Sequence, residues 1–226
     1  MNGKTAGKDA VLLFARYPFD GSVKTRLAAG IGAWNARGLY ACFLKDAAAE
    51  LKRLDAGIFV FFTPAAAGKK FSALLGADFP CVPQTGAALG ERMANAFRAA
   101  FEAGAARAVL IGSDIPGLTA GGLRAAFAGL DRGAAVIGPA LDGGYYLLGL
   151  RAEVFTEEIF KDISWSTPAV FWQTMERFGG IGIKPLVMEP LSDIDDMEGL
   201  VRFYSGKRGA DTAVRTLRFI REKLAL

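Results

Sequence analysis

Ala134-Ala135-Val136-Ile137-Gly138-Pro139-Ala140-Leu141-Asp142-Gly143-Gly144-Tyr145-Tyr146 joins a short apolar run to an acidic, glycine-rich turn. The run reads as a buried strand. An aspartate and paired glycines at a strand's carboxyl end stand where open α/β sheets bind ligands. Glycine lets backbone approach a ligand closely, and Asp142 can meet a hard cation or a sugar hydroxyl. Two other segments repeat the pattern: Lys24-Thr25-Arg26-Leu27 comes after the apolar run 11–15, and Ser113-Asp114-Ile115-Pro116 closes the run 107–111. Together the three suggest a site for an anionic nucleotide accompanied by a divalent metal.

Outward from this point, strand and helix patterns alternate along the whole chain. Strands are expected at 11–15, 57–63, 79–82, 107–111, 134–137, 145–150 and 181–188, with Pro185 pushing part of the last to an edge. Helical spacing of apolar residues, as in Leu39, Tyr40, Phe43, Leu44 and Leu51, predicts helices at 33–54, 69–75, 91–102, 123–130, 198–204 and 211–224. Thr119 or the following glycines would start the 123–130 helix. Thr167 followed by Pro168 predicts an N-cap and first helical residue for a helix to 178. Residues 19–32 are expected to be a loop. This alternation predicts an α/β three-layer sandwich with a mostly parallel sheet. No linker or repeat interrupts it, so a single domain over 1–226 is expected, its first nine residues flexible.

Composition narrows the chemistry. Apolar residues make up 52% of the 226, enough for a large core and too many for disorder. Net charge is only +4, without the clustered basic and aromatic residues of a nucleic-acid surface. The late basic residues Arg208, Arg215, Arg218, Arg221 and Lys223 read as a solvated helix face. The apolar run 11–15 is too short for a signal segment or membrane span, so a cytoplasmic location is expected. Cys42 and Cys81 lack metal-ligand spacing and read as buried thiols. There is no histidine. Imidazole-based triads and metal sites are therefore excluded. Any metal must sit on oxygen, which points to Mg²⁺ or Mn²⁺, and general-base work falls to Asp or Glu.

Each motif has a functional and a plainer reading. Arg16, Lys24 and Arg26 follow the first strand and suit a diphosphate, Arg as a fork and Lys as a point charge; alone they would read equally as solvated loop charges. Val23 replaces the glycine a Walker A loop needs before its lysine. Asp114 at a strand end would hold a metal that neutralises phosphate oxygens, or serve as a turn residue before a proline. Gln84 and Gly86 open a polar loop in which the Gln84 amide can read a base edge, or simply a turn before a helix whose Glu91 favours the dipole. Trp165 is an apolar wall for a sugar or acceptor, or a residue packed beneath its loop. Asp193-Ile194-Asp195-Asp196 supplies a second metal ligand or a base, or an acidic helix cap.

In this order, Phe14-Ala15-Arg16, Val23-Lys24-Thr25-Arg26-Leu27, Leu89-Gly90-Glu91-Arg92-Met93, Ile111-Gly112-Ser113-Asp114-Ile115-Pro116, Leu141-Asp142-Gly143-Gly144-Tyr145-Tyr146, Trp165-Ser166-Thr167 and Asp193-Ile194-Asp195 resemble the DUF2064 family. These are glycosyltransferase-like proteins of the GT-A superfamily, similar to the guanylyltransferase of coenzyme F420 biosynthesis. The resemblance spans roughly residues 10–200. It implies a Rossmann-like nucleotide-diphospho-sugar transferase fold, phosphates on Lys24 and Arg26, a metal on Asp114, and a donor or acceptor pocket along Asp142, Gly143 and Gly144, near Tyr145. Two departures stand out: Arg-Tyr-Pro-Phe-Asp-Gly replaces the usual Pro-Gly before Val-Lys-Thr-Arg, and Asp196 replaces the usual threonine.

The expected activity is transfer of a sugar from a nucleoside-diphosphate sugar to a small-molecule acceptor, with Mg²⁺ or Mn²⁺ on Asp114 and Asp193. If the configuration inverts, Asp142 or Asp195 is the base. A nucleotidyltransferase releasing pyrophosphate, a non-catalytic nucleotide-binding protein and a partner-docking role are the alternatives.

Overall fold

The computed structural model describes residues 9–20, 23–207 and 212–224. Seven strands form one sheet: β1 (Asp9–Arg16), β2 (Gly57–Thr63), β3 (Cys81–Pro83), β4 (Arg107–Gly112), β5 (Ala135–Pro139), β6 (Tyr145–Arg151) and β7 (Leu186–Val187), in the order β3-β2-β1-β4-β6-β5-β7. β6 is antiparallel to both neighbours, and every other pairing is parallel. The sheet is thus mixed and mostly parallel, as the alternation of elements predicts.

The period-two alternation of strand side chains builds a core on each face. Val11, Leu13 and Ala15 of β1 join Val60, Phe62, Val109, Ile111 and Val136 on one face. Ala10 and Leu12 join Phe61, Ala108, Leu110, Ala135 and Ile137 on the other. The first face is covered by α1 (Thr25–Ile31), α2 (Ala33–Leu51), α3 (Gly68–Leu75), α5 (Ala120–Arg132), α7 (Met197–Lys207) and α8 (Val214–Phe219), which bury Leu27, Phe43, Phe71, Leu123, Leu200 and Leu217 there. The second is covered by α4 (Leu89–Glu102) and α6 (Val170–Gly180) through Met93, Phe97, Phe171 and Phe178. Each such fully buried Phe or Leu contributes about 1.5–3 kcal/mol, so the three-layer sandwich follows from the strand pattern.

The structure corrects several expectations. Asp9 is ordered in β1, its carboxylate bound to Arg107 at 2.6 and 2.7 Å. The expected loop at 19–32 contains α1, because Gly30 is not a breaker there: a Cβ on it would lie 2.3 Å from Met197 Cγ, and glycine lets α1 dock on α7. Residues 181–188 form only the two-residue β7. Ile183 N–H instead donates to Phe178 O at 2.9 Å, closing the end of α6, and its side chain joins the second core. The third strand lies at 81–83, with Phe79 buried in the first core instead of paired. Thr167 does not cap α6, which starts at Val170; its hydroxyl donates to Ser164 O at 2.7 Å, closing a turn. Thr119 does cap α5, accepting from Gly122 N–H at 3.1 Å. The last helix begins at Val214 and runs on as a π-helical turn, Ile220–Leu224, while Arg208 and Asp211 lie outside the described residues.

Candidate functional site

The carboxyl ends of the parallel strands bring the acidic motifs together. β1 lies between β2 and β4, the switch point where chain direction across the sheet reverses and α/β sheets take ligands. Arg16 ends β1 and Asp114 follows β4. Asp142 lies in the hairpin between β5 and β6, and Asp193 and Asp195 follow β7. Ile194 is fully buried and its N–H donates to Asp114 O at 3.1 Å. In an extended segment, residues two apart share a face. Anchoring Ile194 inward therefore turns Asp193 and Asp195 together toward Asp114.

Lys24 sits among these acids. Its Nζ is 2.6 Å from Asp195 Oδ1 and 3.0 Å from Asp114 Oδ1, and its side chain is only 5% exposed. Burial alone would lower its pKa, but the Asp114 and Asp195 carboxylates outweigh burial and raise it. Lys24 also caps α1 with a left-handed backbone, φ 52° and ψ 48°. Arg26 is mostly exposed and pairs with Asp196 at 2.5 Å. Asp196 accepts Gly199 N–H at 3.0 Å, capping α7, and this bond leads the causes that hold its carboxyl below the usual range. Asp196, the departure from the family pattern, therefore ties Arg26 and caps a helix.

Around Lys24 the described acids outnumber the buried cation. Asp193 is pushed from 3.8 to about 6, first by burial and then by Asp142 and Asp195, against the pull of Lys24. Like charges crowded on a partly buried carboxyl raise its pKa, a pattern that recurs at functional sites. Among the described residues no three acidic or cysteine side chains lie close enough to hold an ion as they stand, and the Lys24 ammonium lies between Asp114 and Asp195. The donor set nevertheless suits Mg²⁺ or Mn²⁺. It is all carboxylate oxygen, and Asp114 Oδ1 is a buried atom with no hydrogen-bond partner, its ammonium contact lacking hydrogen-bond geometry. A hard cation on Asp114 and Asp193 would satisfy that oxygen.

On the nucleotide side, the exposed Arg16 guanidinium makes no ion pair among the described residues, while its backbone N–H donates to Tyr40 OH at 3.1 Å. Gln84 donates its amide N–H to Phe61 O at 2.9 Å, leaving the amide oxygen as its recognition edge. The loop beyond it is stapled by α4: Ala87 N–H donates to Glu91 Oε2 at 2.8 Å and Arg92 Nε to Gly86 O at 2.9 Å. Gly86 has φ +129°, a conformation that favours glycine. On the other side, Asp142 Oδ1 accepts Gly144 N–H at 2.9 Å. Gly143 has φ +91°, and a Cβ there would fall 2.3 Å from Pro168 O, so only glycine lets this hairpin meet the start of α6. Trp165 packs on Gly90 and edge-on to Tyr145 at 6.5 Å. It is thus partly buried in the second core, beneath its loop.

The sequence reading missed Tyr40 and Ser113. Tyr40 OH and the buried Ser113 Oγ are 2.7 Å apart, and Lys24 Nζ lies 5.9 Å from the Tyr40 ring centre. This link joins the ends of β1 and β4 beneath Lys24. Tyr40 was visible only as one more apolar position of α2; its hydroxyl on the inward face was the available signal. Two cavities lie away from the strand-end acids. One of about 370 Å3 is lined by Lys45, Ala48, Lys52, Leu75 and Arg215, and one of about 240 Å3 by Gly30, Asn35, Met197 and Lys223. The chemistry of the strand-end side chains marks the site. No helix among the described residues is long and apolar enough to cross a membrane.

The fold is that of nucleotide-sugar and nucleotidyl transferases. A candidate nucleotide-diphospho-sugar transferase from Desulfovibrio desulfuricans G20 is 34% identical, with 97% of this chain and 96% of that one covered and a TM-score of 0.92. The fold recurs at low identity in CMP:2-keto-3-deoxy-manno-octonic acid synthetase complexed with CTP (11% identity, 89% and 99% covered, TM-score 0.58). It recurs again in 4-diphosphocytidyl-2C-methyl-D-erythritol synthase from Anaerococcus prevotii DSM 20548 (10% identity, 89% and 100% covered, TM-score 0.57). Among curated proteins none matches. The chain belongs to the DUF2064 family, described as an uncharacterized protein conserved in bacteria, which matches residues 43–167.

Proposed function

We propose that the protein is a transferase that takes a nucleoside-diphosphate sugar and passes its sugar to the hydroxyl of a small-molecule acceptor. The observation that carries this reading is the group of four aspartates, Asp114, Asp142, Asp193 and Asp195, gathered around Lys24 at the strand ends. Asp114 and Asp193 would hold Mg²⁺ or Mn²⁺. Bound there, the ion supplies positive charge to the departing diphosphate. Arg16, Lys24 and Arg26 meet the phosphates, and Gln84 and Gly86 border the base. Gly143, Gly144, Tyr145 and Trp165 border the sugar and acceptor.

Asp142 is the base in this scheme. It bears no ion pair among the described residues, whereas Asp195 is held by Lys24. Asp142 takes the acceptor proton while the acceptor oxygen bonds to the anomeric carbon. The bond from that carbon to the diphosphate breaks, and the diphosphate leaves with the electron pair. The name of the D. desulfuricans relative supports this choice of donor. The fold's presence in a synthetase complexed with CTP supports a second reading, in which a substrate phosphate attacks a nucleoside triphosphate and pyrophosphate leaves.

A thermal-shift panel of nucleoside di- and triphosphates and nucleotide sugars, with and without Mn²⁺, separates the two. A ligand at about 100 times its Kd stabilises by about 2.7 kcal/mol. Metal-dependent stabilisation by one nucleotide sugar is expected. Preference for one triphosphate would establish the second reading instead, and no response in folded protein would refute both.

A further inference from the structure

Lys24 sits on one of the carboxylates a divalent ion would take. Its ammonium contacts Asp114 Oδ1 at 3.0 Å, the oxygen an ion on Asp114 and Asp193 would take, and is held beside it by Asp195 Oδ1 at 2.6 Å. A Mg²⁺ or Mn²⁺ ion bound to Asp114 sits at about 2.1 Å from its ligand oxygen. Ion and ammonium would then be neighbours on one carboxylate, with strong repulsion between them in a setting where Lys24 is 95% shielded from water. The backbone of Lys24 is fixed as the left-handed cap of α1. Its side chain, however, is a flexible four-carbon stem, so the ammonium can leave the carboxylates while the loop stays.

Resting on the metal-dependent reading above, we propose that Lys24 is a tethered counter-cation, which a divalent metal displaces from Asp114 and Asp195 and which is then received by the phosphates of the nucleotide. Metal and anionic ligand are coupled through one side chain. The metal frees the ammonium, the phosphate gives it a new partner, and each ligand raises the affinity of the other by the same factor. Either ligand alone binds against the Lys24–carboxylate contacts. Arg26, two residues along, is parked on Asp196 in the same way, but its exposure leaves the effect with Lys24.

The test is Mn²⁺ binding by calorimetry, with metal alone, to the full-length wild type and Lys24→Met. The variant is expected to bind Mn²⁺ at least about tenfold more tightly, since the competing charge is gone. In parallel, the acylation rate of Lys24 in the wild type is followed by mass spectrometry. The buried ammonium is expected to react slowly without metal and at the rate of exposed lysines when Mn²⁺ saturates the site. Equal Mn²⁺ affinity in the two proteins would overturn the role of Lys24 while leaving the metal site standing. Absence of Mn²⁺ binding to either would overturn both. If Lys24→Met does not fold, the wild-type acylation rate decides: a rate unchanged by Mn²⁺ refutes the displacement.

Discussion

Asp193→Asn removes one charge from a group of four aspartates that hold a single lysine among them. Burial, then the carboxylates of Asp142 and Asp195, raise Asp193 from 3.8 to about 6, opposed by Lys24. A carboxyl with a raised folded pKa binds its proton more tightly in the folded state. It therefore costs the fold nothing below about pH 4, and its full penalty is present above about pH 6. A rise of about two units corresponds to about 3 kcal/mol; solvent screening of the half-exposed carboxyl reduces this to about 1–1.5 kcal/mol. Asparagine keeps the shape without the charge. With a chelator present, Asp193→Asn is expected to be more stable than wild type by about 1–1.5 kcal/mol at pH 7.5, and the gap should shrink toward pH 4.5. Urea unfolding followed by tryptophan fluorescence at the two pH values measures this. Saturating Mn²⁺ should reverse the order, since wild type alone retains the full ligand set. A variant less stable than wild type at pH 7.5, or a difference independent of pH, would refute the charge argument.

Asp114→Asn is expected to abolish the metal dependence of nucleotide binding in a folded protein, checked by thermal shift with and without Mn²⁺; unchanged metal-dependent affinity sinks the assignment. Asp46 is buried and accepts the N–H groups of Arg215 at 3.1 Å and Thr216 at 2.8 Å, replacing the missing cap of α8 from a distance. Asp46→Ala is expected to cost about 2–3 kcal/mol in urea unfolding without altering nucleotide binding, and a loss below about 0.5 kcal/mol would contradict that capping role. Gly143→Ala would put a Cβ 2.3 Å from Pro168 O at φ +91°. It is expected to destabilise by about 1–3 kcal/mol and to weaken acceptor binding more than nucleotide binding, which calorimetry with each ligand separates.

Local pattern carried most of the architecture. The alternation of Val11, Leu13 and Ala15 against Ala10 and Leu12 needs two covered faces, and β2 lies at 57–63 as its run predicts. What escaped depends on partners far away in the chain. Gly30 is helical because of Met197, and Phe79 is buried in a core its own sequence does not mention. Local pattern also left hidden that Lys24 faces Asp195 and Arg26 faces Asp196, 171 and 170 residues on. Residue type pointed to a phosphate for both cations, and the tertiary fold supplies a carboxylate to each. Asp193 and Asp195 share a face only because Ile194 is driven inward, which a three-residue motif does not reveal.

The span between Lys24 and Asp195 also orders the molecule in time. During synthesis the cation is made first, Asp114 next and Asp195 only after most of the sheet. Domains acquire structure as the chain emerges, so the sheet can pair β1, β2 and β4 well before the ammonium has its second partner. Until residues 193–195 arrive, the first half of the chain carries a lysine suited to burial and a single carboxylate to meet it. The contact between Lys24 and Asp195 therefore reports that the segment around residues 193–195 has docked.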